Sequence, residues 1–390
     1  MSWFAGSFRA ISICFWLALV AFAMPAGAQE DYSTRANTGL LVDADTGTVL
    51  YSKEPDQRIQ PASLAKMMTM EVVFNALKSG QLKLTDMFHI SEDAWRRGGA
   101  PSGTSTMFAE INSDIALEDL IRGAVIQAAN DACIAIAEGM AGSEAGFAKM
   151  MNLRAAEIGL TGSYFTNSTG LPDENQYVTI SDLARLARHI IREYPEYFRY
   201  YSEPEFTWNN ILQRNRNPLL SVDGGDGMAT GYTKESGYAI VGTVKRGDQR
   251  MIAVLSGMVS DNERAEEARK ILDWGTRAFE KVRLFEADEI IGEANVYGGV
   301  KSGVAVVGKD GVDIYLPIGF RDRLRARIVY TGPLMPPVAQ GSQVATLKVW
   351  IGDRLSQETP LYAAETVEKG SLRRQAVDAA KELLFGWIPF

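Results

Sequence analysis

Ser63 and Lys66 are the pair in this sequence whose types and spacing suggest nucleophilic catalysis. They belong to the segment PASLAK at residues 61–66, which contains the only Ser-x-x-Lys in the chain. Residues three positions apart at the start of a helix share a face, so the amine can reach the hydroxyl. The helix N-terminus also directs amide groups and a positive dipole at charge developing near Ser63. A lysine whose pKa is lowered can then act as the base that activates the serine.

The composition limits the alternatives to this chemistry. The chain has 390 residues, of which 46% are hydrophobic, and a formal net charge of −8. This balance is typical of a folded chain of two or three domains and argues against disorder and against nucleic acid as the main partner. His89 and His189 are the only histidines, which excludes a multi-histidine metal site and disfavours a Ser-His-Asp triad. The base must therefore be another type of residue.

Residues 1–28 form a predicted export signal. A single charge precedes an apolar run over residues 11–24, and residues 26–28 (Ala-Gly-Ala) have the small-x-small pattern that signal peptidase accepts. The apolar run is shorter than the roughly 20 residues of a transmembrane helix. We expect cleavage after residue 28, which leaves Cys133 as the only thiol. Its neighbours form a small apolar helix face, so Cys133 is predicted to be a buried core residue.

The apolar pattern around the candidate catalytic pair predicts an α+β domain over about residues 34–280. A β-hairpin is predicted over Gly39–Tyr51, and further strands over Tyr238–Met258. Asp131 and Ser181 are each predicted to cap a helix. The predicted helices span Ser63–Ser79, Leu117–Ala128, Ala132–Met140, Thr179–Tyr194 and Glu263–Phe279.

The last part of the chain shows a different pattern. Apolar and polar residues alternate over residues 324–330 and 345–351, with Gly and Pro between the runs. This period of two predicts a small all-β domain. The final segment, residues 369–390, places its apolar residues on one helical face, with Trp387 near the end. Such a helix suits a membrane surface, and a helix docked on the β-domain is the alternative.

Three segments, in their order and spacing, resemble the motifs of the penicillin-recognising serine hydrolases. They are PASLAK at residues 61–66, QAANDAC at 127–133 and DGMATGYT at 226–233. More narrowly, the chain is similar to the serine-type D-alanyl-D-alanine carboxypeptidases, which are low-molecular-mass penicillin-binding proteins of peptidase S11 type. Further similar stretches lie at residues 215–220, 237–238 and 266–275. The later β-domain and the amphipathic tail also match the layout of that family.

The resemblance implies a division of the chain and an α+β fold. Residues 1–28 would be the signal peptide and residues 29–282 a penicillin-binding, β-lactamase-like transpeptidase domain. An all-β domain would follow over residues 283–368, and an amphipathic membrane-associating helix over residues 369–390. The resemblance implies no metal and no cofactor. It also implies a protein exported to the periplasm and held peripherally on the inner membrane.

The resemblance also implies roles for individual residues. Ser63 would be the acylated nucleophile, Lys66 its general base and Asn130 the residue that holds the substrate amide. The backbone amides of Ser63 and Tyr232 would form the oxyanion hole. The substrate-binding residues would be Thr230, Gly231, Tyr232 and Arg264. Of these, Thr230 and Arg264 would bind the terminal carboxylate of D-Ala-D-Ala, a task that suits the planar guanidinium fork of an arginine.

Two positions depart from the family's motifs. The second motif, Ser-x-Asn, begins here with Ala128, and the third, Lys-Thr-Gly, begins with Ala229. The missing hydroxyl removes one route for proton transfer, an effect worth about 10²–10⁴ in rate. The missing ammonium removes a cation that would favour the neutral form of Lys66. Lys234 is either a substitute for that cation or a solvated loop residue.

Two functions therefore stay open. The first is a carboxypeptidase that removes the terminal D-alanine from peptidoglycan pentapeptides through an acyl-enzyme on Ser63 and that β-lactams inhibit covalently. The second is a catalytically impaired homologue that serves as an envelope scaffold or a peptidoglycan-binding protein. The retained polar site residues favour the first, whereas Ala128 and Ala229 favour the second. A β-lactamase is disfavoured, because no Glu-x-x-x-Asn deacylation motif stands in the expected stretch.

Overall fold

The computed structural model describes residues 32–319 and 323–376. The predicted export signal lies outside the described residues, as do residues 377–390 of the predicted C-terminal helix. Residues 372–376 of that segment are helical. In the described part of the chain, no helix combines the length and the apolar character needed to cross a membrane.

The first domain mixes helices with antiparallel strands, which confirms the predicted α+β class. Its strands are β1 (Thr38–Asp43), β2 (Val49–Lys53), β3 (Met87–His89), β4 (Asp114–Ala116), β5 (Glu205–Trp208), β6 (Ile211–Arg214), β7 (Gly225–Thr233), β8 (Gly237–Arg246) and β9 (Gln249–Met258). Its α-helices are α1 (Lys66–Lys78), α2 (Leu117–Ile126), α3 (Asn130–Ala141), α4 (Glu144–Glu157), α5 (Ile180–Glu193), α6 (Pro195–Phe198) and α7 (Asp261–Ala278). A π-helical turn spans Ala94–Gly98, and short 3₁₀ turns span Ala62–Ala65, Ala100–Ser102, Arg199–Ser202 and Pro218–Ser221.

The central sheet is covered by helices on both faces. Its five strands are antiparallel and follow the order β2-β1-β9-β8-β7. Successive side chains of a strand point to opposite faces. Leu40 and Val42 accordingly pack into the core formed with α1 to α5, whereas Leu41 packs into the core formed with α7. Strand β7 ends the sheet, so one of its edges is available to line a site.

The predicted hairpins and helices are present, with corrections at two helix starts. Helix α3 begins at Asn130 rather than Ala132, and Asp131 does not cap it. The Asp131 carboxylate is fully buried and accepts hydrogen bonds from the amides of Met107 and Ala109 instead. Thr179, not Ser181, caps α5, since the Asp182 amide donates to its hydroxyl at 3.1 Å.

The second domain is all-β, as the alternating pattern predicts. Its strands are β10 (Phe279–Phe285), β11 (Ile290–Asn295), β12 (Gly303–Val307), β13 (Val312–Pro317), β14 (Leu324–Val329), β15 (Gln343–Ile351) and β16 (Arg354–Ala363). Five of them form a sheet in the order β11-β12-β16-β15-β14, and β10 pairs with β13. This domain has its own hydrophobic core. Polar contacts join it to the hairpin of the first domain, among them Thr48 Oγ1 to Gln357 Oε1 at 2.7 Å.

Candidate active site

Ser63 and Lys66 lie at the junction of a 3₁₀ turn and the first helix. Ser63 belongs to the turn Ala62–Ala65, and Lys66 is the first residue of α1. The Lys66 Nζ atom donates hydrogen bonds to Ser63 Oγ at 3.1 Å and to the backbone carbonyl of Thr169 at 2.5 Å. The two acceptors hold the amine beside the hydroxyl, so the contact that the Ser-x-x-Lys spacing predicts is present.

The environment of Lys66 makes its amine easier to deprotonate than an ordinary lysine. The side chain is 4% exposed, and burial lowers the pKa of its amine to about 8. The positive charge of Arg216 lowers this pKa further, whereas the carboxylates of Asp131 and Glu144 raise it. Burial raises the pKa of the Cys133 thiol to about 12, so the thiol is neutral at physiological pH. An amine of pKa 8 is neutral in about one molecule in ten at pH 7.

The loop that holds Lys66 is fixed against the turn of the nucleophile. Gly170 has φ +80°, and a Cβ atom on it would lie 1.7 Å from the carbonyl oxygen of Ala62. Only glycine fits this approach. The Asn167 side-chain oxygen accepts hydrogen bonds from the amides of Thr169 at 3.2 Å and Gly170 at 2.7 Å. The Thr169 carbonyl is therefore rigidly placed as the second acceptor for the amine of Lys66.

A second wall of the site is the connection between α2 and α3. Ala128 has φ +56°, a left-handed conformation that costs a non-glycine residue about 1 kcal/mol or more. The turn brings Asn130 to the first position of α3, where its side chain is 4% exposed. Asn130 Nδ2 donates to Thr104 Oγ1 at 2.9 Å, and its backbone amide donates to Ser105. The amide side chain is thus held in one orientation.

The third wall is the free edge of β7. A Cβ atom on Gly231 would lie 3.1 Å from the Cβ of Ala62 and 3.3 Å from the carbonyl oxygen of Pro61. The glycine therefore lets the strand approach the turn that carries the nucleophile. The next residue, Tyr232, is 53% exposed, and its ring lies 4.4 Å from that of Tyr238. The preceding residue, Thr230, is nearly buried and faces the nucleophile's cavity.

Arg264 lies in the first turn of α7, beyond this strand. It is 7% exposed, forms an ion pair with Asp261 and places its guanidinium 5.7 Å from the centre of the Tyr238 ring. Burial lowers the pKa of Arg264, and the positive charge of Arg216 lowers it further. The two guanidinium groups therefore contribute positive potential to the same end of the domain.

The groups meet at a cavity of about 20 Å³ beside the nucleophile. Six of the residues lining it matter for the chemistry: Ser63, Lys66, Ala128, Arg216, Ala229 and Thr230. Tyr201 also lines it, and the buried Tyr201 hydroxyl has no hydrogen-bond partner among the described residues. A cavity of this size has room for about one ordered water.

The structure does not bring every predicted site residue to this cavity. Asn130, Gly231, Tyr232 and Arg264 are outside its lining. Gly231 and Tyr232 continue strand β7, whose residues Ala229 and Thr230 do line the cavity. Lys234 is exposed in the turn after β7 and does not line the cavity, so its interpretation as a solvated loop residue agrees with its position. The described residues thus place the predicted nucleophile, the base and Thr230 around one cavity, which Ala128 and Ala229 also line.

Two groups that act on Lys66 had no role predicted from the sequence. One accepts a hydrogen bond from the lysine, and the other lowers its pKa through a positive charge. Arg216 lies 150 positions from Lys66, and its only signal was that it stands in one of the stretches similar to the family. Thr169 contributes a backbone carbonyl, which no residue type reveals. Both groups reach Lys66 through the tertiary fold rather than through local spacing.

Comparison with known families and proteins agrees with these observations. The family described as D-alanyl-D-alanine carboxypeptidase matches residues 24–259. The domain described as the C-terminal domain of penicillin-binding protein 5 matches residues 279–369. Among relatives, D-alanyl-D-alanine carboxypeptidase DacC of Escherichia coli is 37% identical over 378 residues, which cover 95% of this chain and 94% of the relative. DacA of Haemophilus influenzae is 38% identical over 313 residues, 79% of each chain.

Solved structures show the same similarity. Penicillin-binding protein 5 from Haemophilus influenzae superposes with a TM-score of 0.74 at 36% identity, over 87% of this chain and 99% of that one. Penicillin-binding protein D2 from Listeria monocytogenes in its ampicillin-bound form superposes with a TM-score of 0.55 at 26% identity, over 63% of this chain and 99% of that one. The similarity thus extends over both described domains.

Proposed function

This chain belongs to the D-alanyl-D-alanine carboxypeptidase family, and from that premise we propose that it removes the terminal D-alanine from peptidoglycan pentapeptides through an acyl-enzyme on Ser63. The observation that carries the proposal is the contact of Lys66 Nζ with Ser63 Oγ at 3.1 Å. The buried lysine has a pKa lowered to about 8, so it can accept the serine proton at physiological pH.

Acylation follows from this geometry. The neutral Lys66 amine directs its lone pair at Ser63 while an N–H bond stays on the Thr169 carbonyl. Lys66 accepts the hydroxyl proton as Ser63 Oγ attacks the carbonyl carbon of the penultimate D-alanine. The tetrahedral oxygen would take hydrogen bonds from the backbone amides of Ser63 and Tyr232, and the close approach of Gly231 to Pro61 and Ala62 supports this placement. The peptide bond then breaks, and the leaving amine takes the proton from Lys66.

Deacylation reverses these roles with water as the nucleophile. Lys66 accepts a proton from the water as it attacks the ester carbonyl, and returns that proton to Ser63 Oγ as the ester bond breaks. Thr230 and Arg264 would hold the carboxylate of the substrate, and Asn130 would hold an amide of its backbone. Each of these three side chains is nearly buried, so each is positioned before substrate arrives.

Ala128 lacks the hydroxyl that the family's second motif supplies for proton transfer. We propose that a water in the cavity of about 20 Å³ takes its place. Ser63, Lys66 and Tyr201 all line that cavity, and the Tyr201 hydroxyl needs a partner. A water with two to four polar neighbours is stable in such a site.

We propose further that β-lactams acylate Ser63 and that the protein acts in the cell envelope. A related penicillin-binding protein, D2 of Listeria monocytogenes, is known in an ampicillin-bound form. The export signal predicted over residues 1–28 supports a periplasmic location, and the helix predicted over residues 369–390 supports peripheral binding to the inner membrane. Separating soluble and membrane fractions, with and without residues 369–390, tests the second point.

The direct test is release of D-alanine from a pentapeptide ending in D-Ala-D-Ala, with Ser63→Ala as the matched control. Release that disappears in the control supports the proposed reaction. Release that persists in the control contradicts the role of Ser63. A folded protein that releases no D-alanine and is not acylated by penicillin would instead be the scaffold or peptidoglycan-binding protein that Ala128 and Ala229 favour.

A further inference from the structure

We propose that Arg216 is a positioning residue of this site, which acts through Lys66 by supplying the positive charge that Ala229 does not. Arg216 and Ala229 both line the cavity that Ser63 and Lys66 also line. The inference rests on the proposed function, since it concerns the base of the same reaction. It explains how a site whose third motif begins with alanine keeps a cation beside its base.

The backbone around Arg216 is fixed on three sides. The Arg216 amide donates to the carbonyl of Ile126, the last residue of α2, at 3.2 Å. The preceding Asn215 donates from its side chain to the carbonyls of Tyr201 at 3.2 Å and Glu203 at 3.0 Å. Its neighbour Asn217 is buried and its side-chain oxygen accepts from the Leu219 amide at 2.9 Å. The position of the Arg216 backbone beside the cavity is therefore built into the fold.

The charge of Arg216 is not neutralised locally. Among the described residues, no carboxylate lies within ion-pair distance of it, and its side-chain partner is the neutral amide of Gln127 at 3.5 Å. Other arginines of the domain are paired: Arg122 with Glu203, Arg154 with Glu71 and Arg250 with Asp226. An arginine stays protonated at physiological pH, so Arg216 presents a full positive charge to the cavity.

Four charged or titratable groups face Lys66 from the elements around it. Cys133 and Asp131 belong to α3, Glu144 begins α4 and Arg216 lies in the loop after β6. The two carboxylates favour the protonated lysine, and Arg216 is the group among the four that opposes them.

The opposing carboxylates are engaged elsewhere. Asp131 accepts hydrogen bonds from Thr106, Met107 and Ala109. Glu144 pairs with Arg97 at 2.8 Å and accepts from Ser168. These partners weaken the effect of the two carboxylates on Lys66 without removing it, so the pKa of Lys66 should rise when the positive charge of Arg216 is taken away.

The test compares the pH dependence of Ser63 acylation by a fluorescent penicillin in four chains. They are the unchanged chain, Arg216→Met, Arg216→Lys and Arg354→Met. The last is a control, because Arg354 lies in the second domain, far from the cavity lining, and has no carboxylate within ion-pair distance among the described residues. Its side chain donates a hydrogen bond to the backbone carbonyl of Leu50 at 3.1 Å. We expect the midpoint of the profile to rise in Arg216→Met and to stay in place in Arg216→Lys and Arg354→Met. The rate at pH 7 falls about tenfold for each pH unit of that rise.

A second measurement is the salt dependence of the midpoint, since the Arg216 side chain is exposed to solvent. Charges open to water are screened by salt, so 1 M NaCl should raise the midpoint of the unchanged chain more than that of Arg216→Met. Adding Ala229→Lys to Arg216→Met should lower the midpoint again. If Arg216→Met does not fold, Ala229→Lys alone is the test, and its midpoint should lie below that of the unchanged chain. Unchanged midpoints in Arg216→Met would overturn the inference even if the rate falls. Absence of acylation in the unchanged chain at every pH would instead overturn the proposed function.

Discussion

Replacing Lys66 by methionine should raise the free energy of unfolding at neutral pH while abolishing acylation of Ser63. The lysine is 4% exposed and has a pKa lowered from 10.5 to about 8 by burial. The unfolded chain therefore binds its proton more tightly than the folded chain does. This lysine destabilises the folded protein fully below pH 8, and the cost disappears as the pH rises through 10.5.

The shift of about 2.5 pKa units corresponds to a cost of about 3 kcal/mol at pH 7. Methionine has a similar length and no charge, so Lys66→Met removes this cost. It also leaves the buried Thr169 carbonyl without a donor, which costs about 1–3 kcal/mol at any pH. The net change at pH 7 is thus a gain of up to about 2 kcal/mol. The cost of the lysine falls to about 1 kcal/mol at pH 10, so the advantage of methionine shrinks by about 2 kcal/mol.

Urea unfolding of both chains at pH 7 and pH 10 measures this difference. Groups common to both chains cancel when the two free energies are subtracted at each pH. Lys66→Leu serves as a control for the shape of the replacement. A difference between the chains that stays constant from pH 7 to pH 10 would refute a lowered lysine pKa, and with it the account of how Lys66 acts as a base at neutral pH.

Three further outcomes test the surroundings of the site. Gly170→Ala should slow acylation and lower the free energy of unfolding by about 3 kcal/mol, because its Cβ would clash with the nucleophile's turn. Gly103→Ala, at φ +64° with nothing within 4 Å, should cost only about 1 kcal/mol, and equal effects of the two would contradict the close approach. Glu71→Gln should lower the free energy of unfolding by about 2–4 kcal/mol, since Glu71 is a fully buried partner of an arginine. The exposed partner Glu157→Gln should change it by less than about 1 kcal/mol in the same urea titration. Cys133 should react with iodoacetamide only after unfolding, because it is buried and its thiol pKa is raised to about 12, and mass spectrometry of its peptide would detect any reaction in the native state.

The parts of the fold that sequence predicted correctly are those set by local spacing. The strands β8 and β9 are apolar runs on either side of a glycine turn, and the structure pairs them in register. The Ser63–Lys66 contact is local too, because three residues separate its members. In both cases the prediction depends on residues that are close together in the chain.

The parts that sequence did not predict depend on residues distant in the chain. Asp131 has the residue type and position of a helix cap, yet its carboxylate turns to the amides of Met107 and Ala109. Those buried donors need an acceptor, and the requirement outweighs the gain from a cap. Arg216 reaches the cavity because α2 and the loop after β6 meet in the tertiary structure. The apolar periodicity of the sequence does not predict contacts between segments so far apart in the chain.

Several features of the site lower the stability of the folded protein. Lys66 is buried, and Ala62 and Ala128 have φ of +49° and +56°. Each feature opposes stability by about 1 kcal/mol or more, and simple replacements such as methionine or glycine would relieve them. A scaffold that only binds peptidoglycan needs a shaped groove but not a buried lysine of lowered pKa against a serine hydroxyl. The buried lysine beside the serine hydroxyl is the feature that general-base catalysis requires, and release of D-alanine that is lost in Ser63→Ala is the measurement that separates a working carboxypeptidase from an impaired homologue.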